Sequence, residues 1–551
     1  TEVNYEEKNI NLKANRSKSI YHDLMTEDIS VKFYNAKGEK IKGDYEIISK
    51  KRIKIVSEED VKDCAIQVTG QLEKKTNPIV IIAENTARLL MSVKSVSASL
   101  SQTQGSAMPG YTPETHFMGL EKNNNVFAPG IPYVLGIQDP DFAYNTIKNG
   151  WMTADTTLNT PYLTTYKNNF NIRATIEPIK GLRIDLTANR TYATNNSSFY
   201  LPSIYGSEPY SDQTTGNFSI SCITLGTAFE DIVSDNNYSS EAFNNFKEYR
   251  KTISYRLAQD RIPNSEHNYD PLAPADPENP NNGYYEGYGE LSQDVLIPAF
   301  LAAYGIDDAN NISLNKFPLI PMPNWRITFN GLKELAFIKK YFKSVNLSHS
   351  YRSSYNVGSF NNHIDYSKEA DGYSYIKDMQ FNFIPKNEIN SVSINEQFSP
   401  LINIDMTWKN NLTTRFEIKK TRTLTLSFAN NQLSEIKSEE LSFSVGYRFD
   451  DFNLIVDFGN NPENYKSDLN IRGNFSLREN KTILRKLAEG IDDITAGQKA
   501  IVIGVSADYM LSNRFTLRFF FDRNINEPFV SRSYPTSNTK IGFSFRFTLA
   551  Q

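Results

Sequence analysis

Five histidines are the first candidates for chemistry, and their spacing gives them none. His22, His116, His267, His349 and His363 are scattered, without an HxxxH pair or a cysteine partner at zinc spacing. Cys64 and Cys222 lie in different segments; they could pair in an oxidising periplasm but read better as two small apolar side chains. Asp276 to Gly283 has the look of a calcium loop, yet Pro280 stands where a side-chain ligand is needed, so a surface loop is expected. Asp307-Asp308 reads as a solvated turn. The sequence holds no GxSxG, P-loop or Rossmann fingerprint, and no strand offers the outward Ser–His pair of a barrel phospholipase. The expectation is no enzyme and no cofactor.

What the chain does carry is a division of solvents. In the run Ile541 to Gln551, the side chains Ile541, Phe543, Phe545, Phe547 and Leu549 fall on one face of a strand. Gly542, Ser544, Arg546 and Thr548 fall on the other. Nine residues at about 3.3 Å each, tilted by about 40°, cover roughly the 25 Å apolar band of an outer-membrane barrel. The first face is expected to meet lipid and the second a wet lumen.

The pattern repeats backwards from the C-terminus, and repetition is what separates a membrane wall from one amphipathic strand of a soluble sandwich. The apolar phases are Phe515 to Phe521, Ile501 to Leu511, Leu469 to Leu477, Phe452 to Phe458, Leu441 to Phe449, Leu424 to Phe428, Leu412 to Ile418 and Ile402 to Trp408. With the last run they predict nine consecutive strands. The opposite faces are polar, and Arg448, Arg472, Arg514, Arg518 and Arg546 are the candidate lumen arginines. The 551 residues include 31 Tyr and 34 Phe but only 3 Trp. A mean hydropathy of -0.48 excludes a helical membrane protein and suits a barrel with wet lumen and loops. The longest apolar stretch, Val295 to Ile306, is too short to span as a helix and contains Pro298. A net charge of -4 without a basic block argues against nucleic acid as a partner.

These elements divide the chain into four parts. Residues 1–80 read as a small soluble β module at a barrel mouth, with strands near Ile29–Phe33, Tyr45–Ile47, Ile53–Ile55 and Ala65–Val68 and a turn at Asn35-Ala36-Lys37-Gly38. Residues 81–229 read as barrel strands with long loops. A phase change between Leu89-Met91-Val93 and Val96-Ala98-Leu100 predicts a bulge, Pro178 to Gly181 a tight turn, and Phe218-Ile220-Cys222 the opening of a strand. Residues 230–322 break the pattern. Phe243, Phe246, Tyr249, Ile253 and Leu257 have helical spacing after Ser239-Ser240, and Leu291 to Tyr304 predicts a second helix. Helices cannot be wall, so a partly helical cap or loop insertion in the lumen or over a mouth is expected. Residues 323–551 are barrel strands to the C-terminus. Placing that terminus in the periplasm puts the Ser512-Asn513 turn inside and the 524–538 and 479–500 connections outside, as bacterial barrels require. A short turn at Asp450-Asp451 would break the rule. A barrel must cross the inner membrane and Thr1 opens without Met or leader, so an upstream leader and a longer chain are expected.

Several long segments resemble the C-terminal part of the SprA/Sov family. They are ENTARLLMSVKSVS (Glu84–Ser97), APGIPYVLGIQD (Ala128–Asp139), VLIPAFLAAYG (Val295–Gly305), PMPNWRITFNGL (Pro321–Leu332), EQFSPLINIDMTWKN (Glu396–Asn410), SADYMLSNRFTLRFFFD (Ser506–Asp522) and Ile525 to Gln551. The resemblance implies the giant outer-membrane translocon of the type 9 secretion system in gliding and periodontal Bacteroidetes. The implied fold is part of a very large transmembrane antiparallel β-barrel, all-β, completed by the upstream remainder of the same chain. The implied activity is passage of folded cargo with C-terminal sorting domains through the lumen. The implied partners are a PorV-type small barrel covering a lateral gate, a periplasmic plug protein and outer-membrane lipid. The alternatives are a TonB-dependent uptake receptor, which should carry a plug domain before its first strand, a lipopolysaccharide-inserting barrel, and a structural surface barrel without transport.

Overall fold

The computed structural model describes residues 2–71, 92–230, 238–261, 269–457, 462–487, 492–512, 515–530 and 533–549. The chain divides into two units, Thr1–Leu90 and Met91–Gln551.

In the first unit, strands Glu2–Leu12, Val61–Gln71, Ile29–Tyr34 and Lys40–Ile41 form one antiparallel sheet in that order. Ser17–Tyr21, Arg52–Ser57 and Gly43–Ser49 form another. Strict alternation builds the core: along Arg52–Ser57 every second residue is buried. Ile10, Ile20, Phe33, Ile53, Ile55, Ile66 and Val68 meet there. All four predicted strands lie inside observed ones. The strands 2–12 and 17–21 escaped the sequence reading; in the first, a register shift between Glu7 and Ile10, with Asn9 at φ 60°, breaks the alternation. The Asn35 turn forms as its residues predict, the Asn35 carboxamide accepting from the Lys37 and Glu39 amides at 2.9 and 3.0 Å.

The second unit is built on a 14-stranded antiparallel sheet, and the all-β class holds. Its strands are β1 (Val93–Ala107), β2 (Tyr162–Ile179), β3 (Leu182–Tyr200), β4 (Pro209–Ser221), β5 (Asn324–Phe329), β6 (Phe342–Asn362), β7 (Asn387–Ile389), β8 (Ser391–Trp408), β9 (Leu412–Ser427), β10 (Gln432–Asp457), β11 (Pro462–Lys486), β12 (Asp492–Ser512), β13 (Phe515–Pro528) and β14 (Thr536–Phe547). From β14 back to β8 the order follows the chain, then continues through β6, β4, β3 and β2 to β1.

The nine predicted strands are seven. Leu412–Ile418 and Leu424–Phe428 belong, but for Phe428 just past its end, to one strand, β9, because the charged stretch between them pairs without interruption from Leu412↔Tyr447 to Ser427↔Gln432. Asp450-Asp451 is no turn. It is a bulge within β10: the register shifts by one residue between Phe449↔Leu469 and Phe452↔Ser467, with Asp451 at φ 57°. The bulge flips the apolar phase from odd to even positions, which in sequence mimics two strands; the short connection at the long-loop end is instead 428–431, between β9 and β10. The strands also outrun their apolar stretches. β11 reaches Lys486 and β13 Pro528, so the 479–500 and 524–538 connections shrink. The last strand, by contrast, stops at Phe547, leaving Leu549 beyond it. The long connections 108–161 and 363–386 leave from one end of the sheet. The turns at 180–181 and 409–411 lie at the other end with the C-terminus. The bulge expected near Val93 sits at Lys94, where Ser95 pairs Thr175 and Val93 pairs Ile176. Leu89 and Met91 lie outside the described residues.

Phe218, Ile220 and Cys222 close a strand rather than open one. β4 ends at Ser221, and β5 takes over the same position in the sheet, running in the same direction between the same neighbours. Ile220 faces Arg190 of β3 and Tyr355 of β6; Asn324 and Trp325 face Thr187 and Leu186 of β3, and Trp325 faces Tyr351 of β6. One position in the sheet is therefore filled by two strand halves, and residues 222–323 leave and return at mid-height. The break is stapled: the Met322 amide donates to the Ser221 carbonyl at 2.9 Å, and the Ser221 hydroxyl donates to the Met322 carbonyl at 2.6 Å.

Within the insertion, helix α1 (Glu241–Asp260) starts where Ser240 predicts, its hydroxyl accepting from the Phe243 amide at 3.1 Å. Helix α2 (Gln293–Tyr304) contains Pro298 and is buried on every side from Val295 to Tyr304. No helix among the described residues is long and apolar enough to cross a membrane.

Candidate functional site

The register lays the apolar phases of all strands side by side. Phe416 pairs Phe443, Phe443 pairs Phe475, and Phe475 pairs Ile503. Val505 pairs Phe521, and Phe519 pairs Phe543. Because paired residues share a face, this is one continuous apolar surface. It is also uncovered. Phe443 and Phe475 remain 42% and 38% exposed, and Ile541, Phe543, Phe545, Phe547 and Leu549 between 62% and 83%. A soluble protein rarely leaves so large an apolar surface open.

The reverse face is polar along the same rows. Arg448 sits on it between Asp450, at 3.0 Å, and Asp468. Arg472 pairs Gly446 and Ser506 in register, Arg518 approaches Asp508 at 3.5 Å, and Arg546 lies opposite Thr516. Arg415–Asp405 and Arg478–Glu440, both at 2.8 Å, extend the pattern. Half-exposed pairs of this kind add little stability; they show that the face is made for water. Phe520 is an aromatic on this face, and it lies over Gly542, where a Cβ would come within 2.8 Å of its ring. Arg514 lies outside the described residues.

Above the open band the same apolar face is covered by the insertion. Phe243, Phe246 and Ile253 are buried, with Tyr249 and Leu257 packed against them. α1 and α2 rest on Phe218, Tyr355, Val357, Val392, Ile394, Leu424, Leu426 and Leu433. β9 pairs β10 without a register shift, so Leu424 and Leu426 lie on the same face as Phe416 and Ile418. The sequence placed this insertion in the lumen or over a mouth; it packs on the face opposite the arginines. The open band is the part of the apolar face that it leaves bare.

Buried charges meet it there. Arg422 of β9 and Glu396 of β8 are 2.9 Å apart and almost fully buried. The Thr224 hydroxyl and the Tyr351 hydroxyl donate to the other Glu396 oxygen at 2.6 and 3.0 Å. Arg422 also donates to the Thr227 carbonyl at 2.7 Å and hydroxyl at 2.8 Å. Next along the sheet, Lys437 donates to the Glu230 carbonyl at 2.9 Å, and Arg485 to the Tyr238 carbonyl at 2.7 Å and to Glu435 at 3.1 Å. Three cations of the sheet thus satisfy carbonyls of the insertion outside its two long helices, which backbone burial demands. Sequence reasoning missed this clamp, although it left a signal: Arg422, Glu435, Lys437 and Arg485 all occupy the apolar phase of their strands.

A second anchor closes the far end of α1. The Arg261 guanidinium lies 3.7 Å from the Phe383 ring centre, with Tyr269, Tyr288, Tyr373 and Tyr375 within 5.8 Å. It donates to the Tyr288 hydroxyl at 2.8 Å and the Ser374 carbonyl at 3.1 Å. Burial pushes the Tyr269 hydroxyl up to about 12 against the pull of the Arg261 charge. Cys64 and Cys222 are free thiols. In the segment with the look of a calcium loop, Asp276 and Asn282 accept instead from the Glu278 and Tyr284 amides, both at 2.9 Å.

No family model and no curated protein matches the chain. Among solved structures, the RagAB peptide transporter aligns at a TM-score of 0.22 and 7% identity, over 79% of this chain and 44% of that one. The chain spans less than half the length of that neighbour.

Proposed function

We propose that this chain is an arc of the wall of a very large outer-membrane β-barrel, and that the barrel conducts folded proteins from periplasm to cell surface. The observation that carries the reading is the two-faced sheet, with an exposed aromatic band on one side and charge-paired arginines on the other across adjacent strands. An antiparallel sheet divides solvents in this way when it separates lipid from a wet lumen. Among the described residues, β1 and β14 each pair on one side only, so further strands must complete the ring. The resemblance to the SprA/Sov family supports type 9 secretion as the task, with export of the surface proteins used in gliding. A lumen wide enough for folded cargo leaks unless plugged, and a lateral gate in the wall exposes strand edges that a small barrel of PorV type would cover.

Depletion of the protein, followed by proteomics of medium and periplasm, tests this. Periplasmic build-up of proteins sharing a C-terminal sorting domain is the expected result. Normal secretion with a defect on particular nutrients would replace the reading with an uptake receptor, and no change in either would leave a structural surface barrel.

A further inference from the structure

At the lower rim of the apolar band, the end that carries the short turns and the C-terminus, the pattern changes from aromatic to aromatic plus cation. The chain leaves β5, makes a turn at Gly331–Glu334 and a six-residue helix, α3 (Ala336–Tyr341), and enters β6. Phe342 and Trp408 meet on the apolar face with ring centres 4.1 Å apart, and the Lys409 amide donates to the Tyr341 carbonyl at 3.0 Å. Just below, Leu335, Phe337 and Tyr341 are 56%, 74% and 45% exposed. Around them stand Lys333, Lys339, Lys340, Lys343 and Lys409, all exposed. Glu334 is the single acid between Gly331 and Lys343. No ion pair to these lysines is found among the described residues; Lys343 donates to the Asn411 carboxamide at 3.2 Å, and Lys340 lies over the Tyr341 ring.

We infer that this rim is a docking surface for anionic phospholipid in the leaflet on the short-turn side of the membrane. The inference rests on the reading of the apolar band as lipid-facing. Two features favour a lipid surface over any other occupant. The cations border an apolar band continuous with their own aromatic residues, so one ligand must offer an acyl region and an anionic head side by side. Long lysine side chains at such a border also keep their stems against the apolar rim while the ammonium groups reach the phosphates. The acidic neighbours, Asp450 and Asp451, are engaged by Arg448 and Lys466, which leaves the lysine patch unneutralised from that side. In a barrel this large, the patch would fix the tilt and depth of one sector of wall.

Trp408 lies at the centre of the patch and serves as reporter. The full chain is placed in lipid nanodiscs with phospholipid brominated on the acyl chain, either phosphatidylglycerol in a phosphatidylcholine background or the reverse. Fluorescence quenching is read from a W151F/W325F background and, in parallel, from the unaltered protein. Brominated phosphatidylglycerol is expected to quench Trp408 at about a tenth of the mole fraction that brominated phosphatidylcholine needs. K333Q/K339Q/K340Q/K343Q is expected to make the two curves coincide without changing the total quenching. Equal quenching of Trp408 with the four lysines in place, or a preference that survives the four substitutions, overturns the inference while leaving the lipid band intact. No quenching by either lipid overturns the lipid-facing reading itself.

Discussion

Phe545 and Arg546 are adjacent in sequence and stand on opposite faces of β14, so they give the sharpest test of facing. Under the proposed barrel, Phe545→Arg puts a cation into hydrocarbon near the band's centre at a cost of about 2–4 kcal/mol. The expected outcome is loss of assembled, heat-modifiable barrel from the outer membrane, read by gel mobility with and without boiling. Arg546→Ser, facing water without an ion pair among the described residues, should leave that mobility unchanged. The clamp offers a test of a different kind. Arg422→Met leaves Glu396 buried with only the Thr224 and Tyr351 hydroxyls, at a cost of about 3–5 kcal/mol. Protease cleavage between residues 241 and 320 should rise in that variant. In E396Q/R422M the uncompensated charge is gone, so cleavage should fall back towards the unaltered protein. A double variant as sensitive as R422M would mean that the Thr227 contacts, rather than the ion pair, hold the insertion.

At the scale of elements, what could be read in the sequence was whatever a local period records. Alternation over Leu441–Phe449 or Ile541–Phe547 is a property of neighbours, and the strands formed there; so is the 3.6-residue period behind Ser240 that became α1. The bulge at Asp450-Asp451 misled because one extra residue inverts the phase, which sequence cannot distinguish from a turn. The middle of β9 and the long upper half of β10 were hidden because their register depends on partners far away in the chain: Arg422, Glu435 and Lys437 read as loop until the insertion lies over them. The division of one wall position between β4 and β5 was equally invisible, since its halves are separated by the whole insertion. The small β module carries a prediction at this scale. His22 is buried, and its Nδ1 accepts from the Leu24 amide at 3.4 Å, which requires a neutral ring. Burial holds its pKa below the usual histidine value, with Asp23 opposing. The folded module therefore binds fewer protons than the unfolded chain, so its stability is full above about pH 6.5 and falls as pH drops towards the folded pKa. Hydrogen exchange at residues 17–24 and 52–57, corrected for intrinsic rates, should accelerate from pH 7.5 to 5.5, and His22→Gln should flatten that dependence. An acceleration that persists in the variant would place the titrating group elsewhere.

For the whole molecule, one face does two jobs at two heights, and this orders the rest of the architecture. β10 has 26 residues, about 85 Å of strand, of which the bare apolar band uses only the stretch around Leu441–Phe449. The upper half of the same face would be as exposed, were it not covered by the insertion that leaves the wall at Ser221 and returns at Asn324. Among the described residues the helices of the cover pack on this side, opposite the arginine face, which is the arrangement the proposed conduit needs. Single cysteines along β10 in a C64S/C222S background test the arrangement. In intact outer membranes, Ser442→Cys and Ser444→Cys should react with a membrane-impermeant maleimide through the wet lumen, and Phe443→Cys and Val445→Cys should not. Leu433→Cys shares the face of the second pair but lies under the insertion. It should be silent too, and should become reactive when combined with R422M, because protein rather than lipid shields it. Labelling at Phe443→Cys with silence at Ser444→Cys would put the aromatic face on the lumen side and end the membrane-wall reading. If Leu433→Cys stayed silent in R422M while Ser444→Cys reacted, the wall would stand and the cover would be held by its apolar contacts alone.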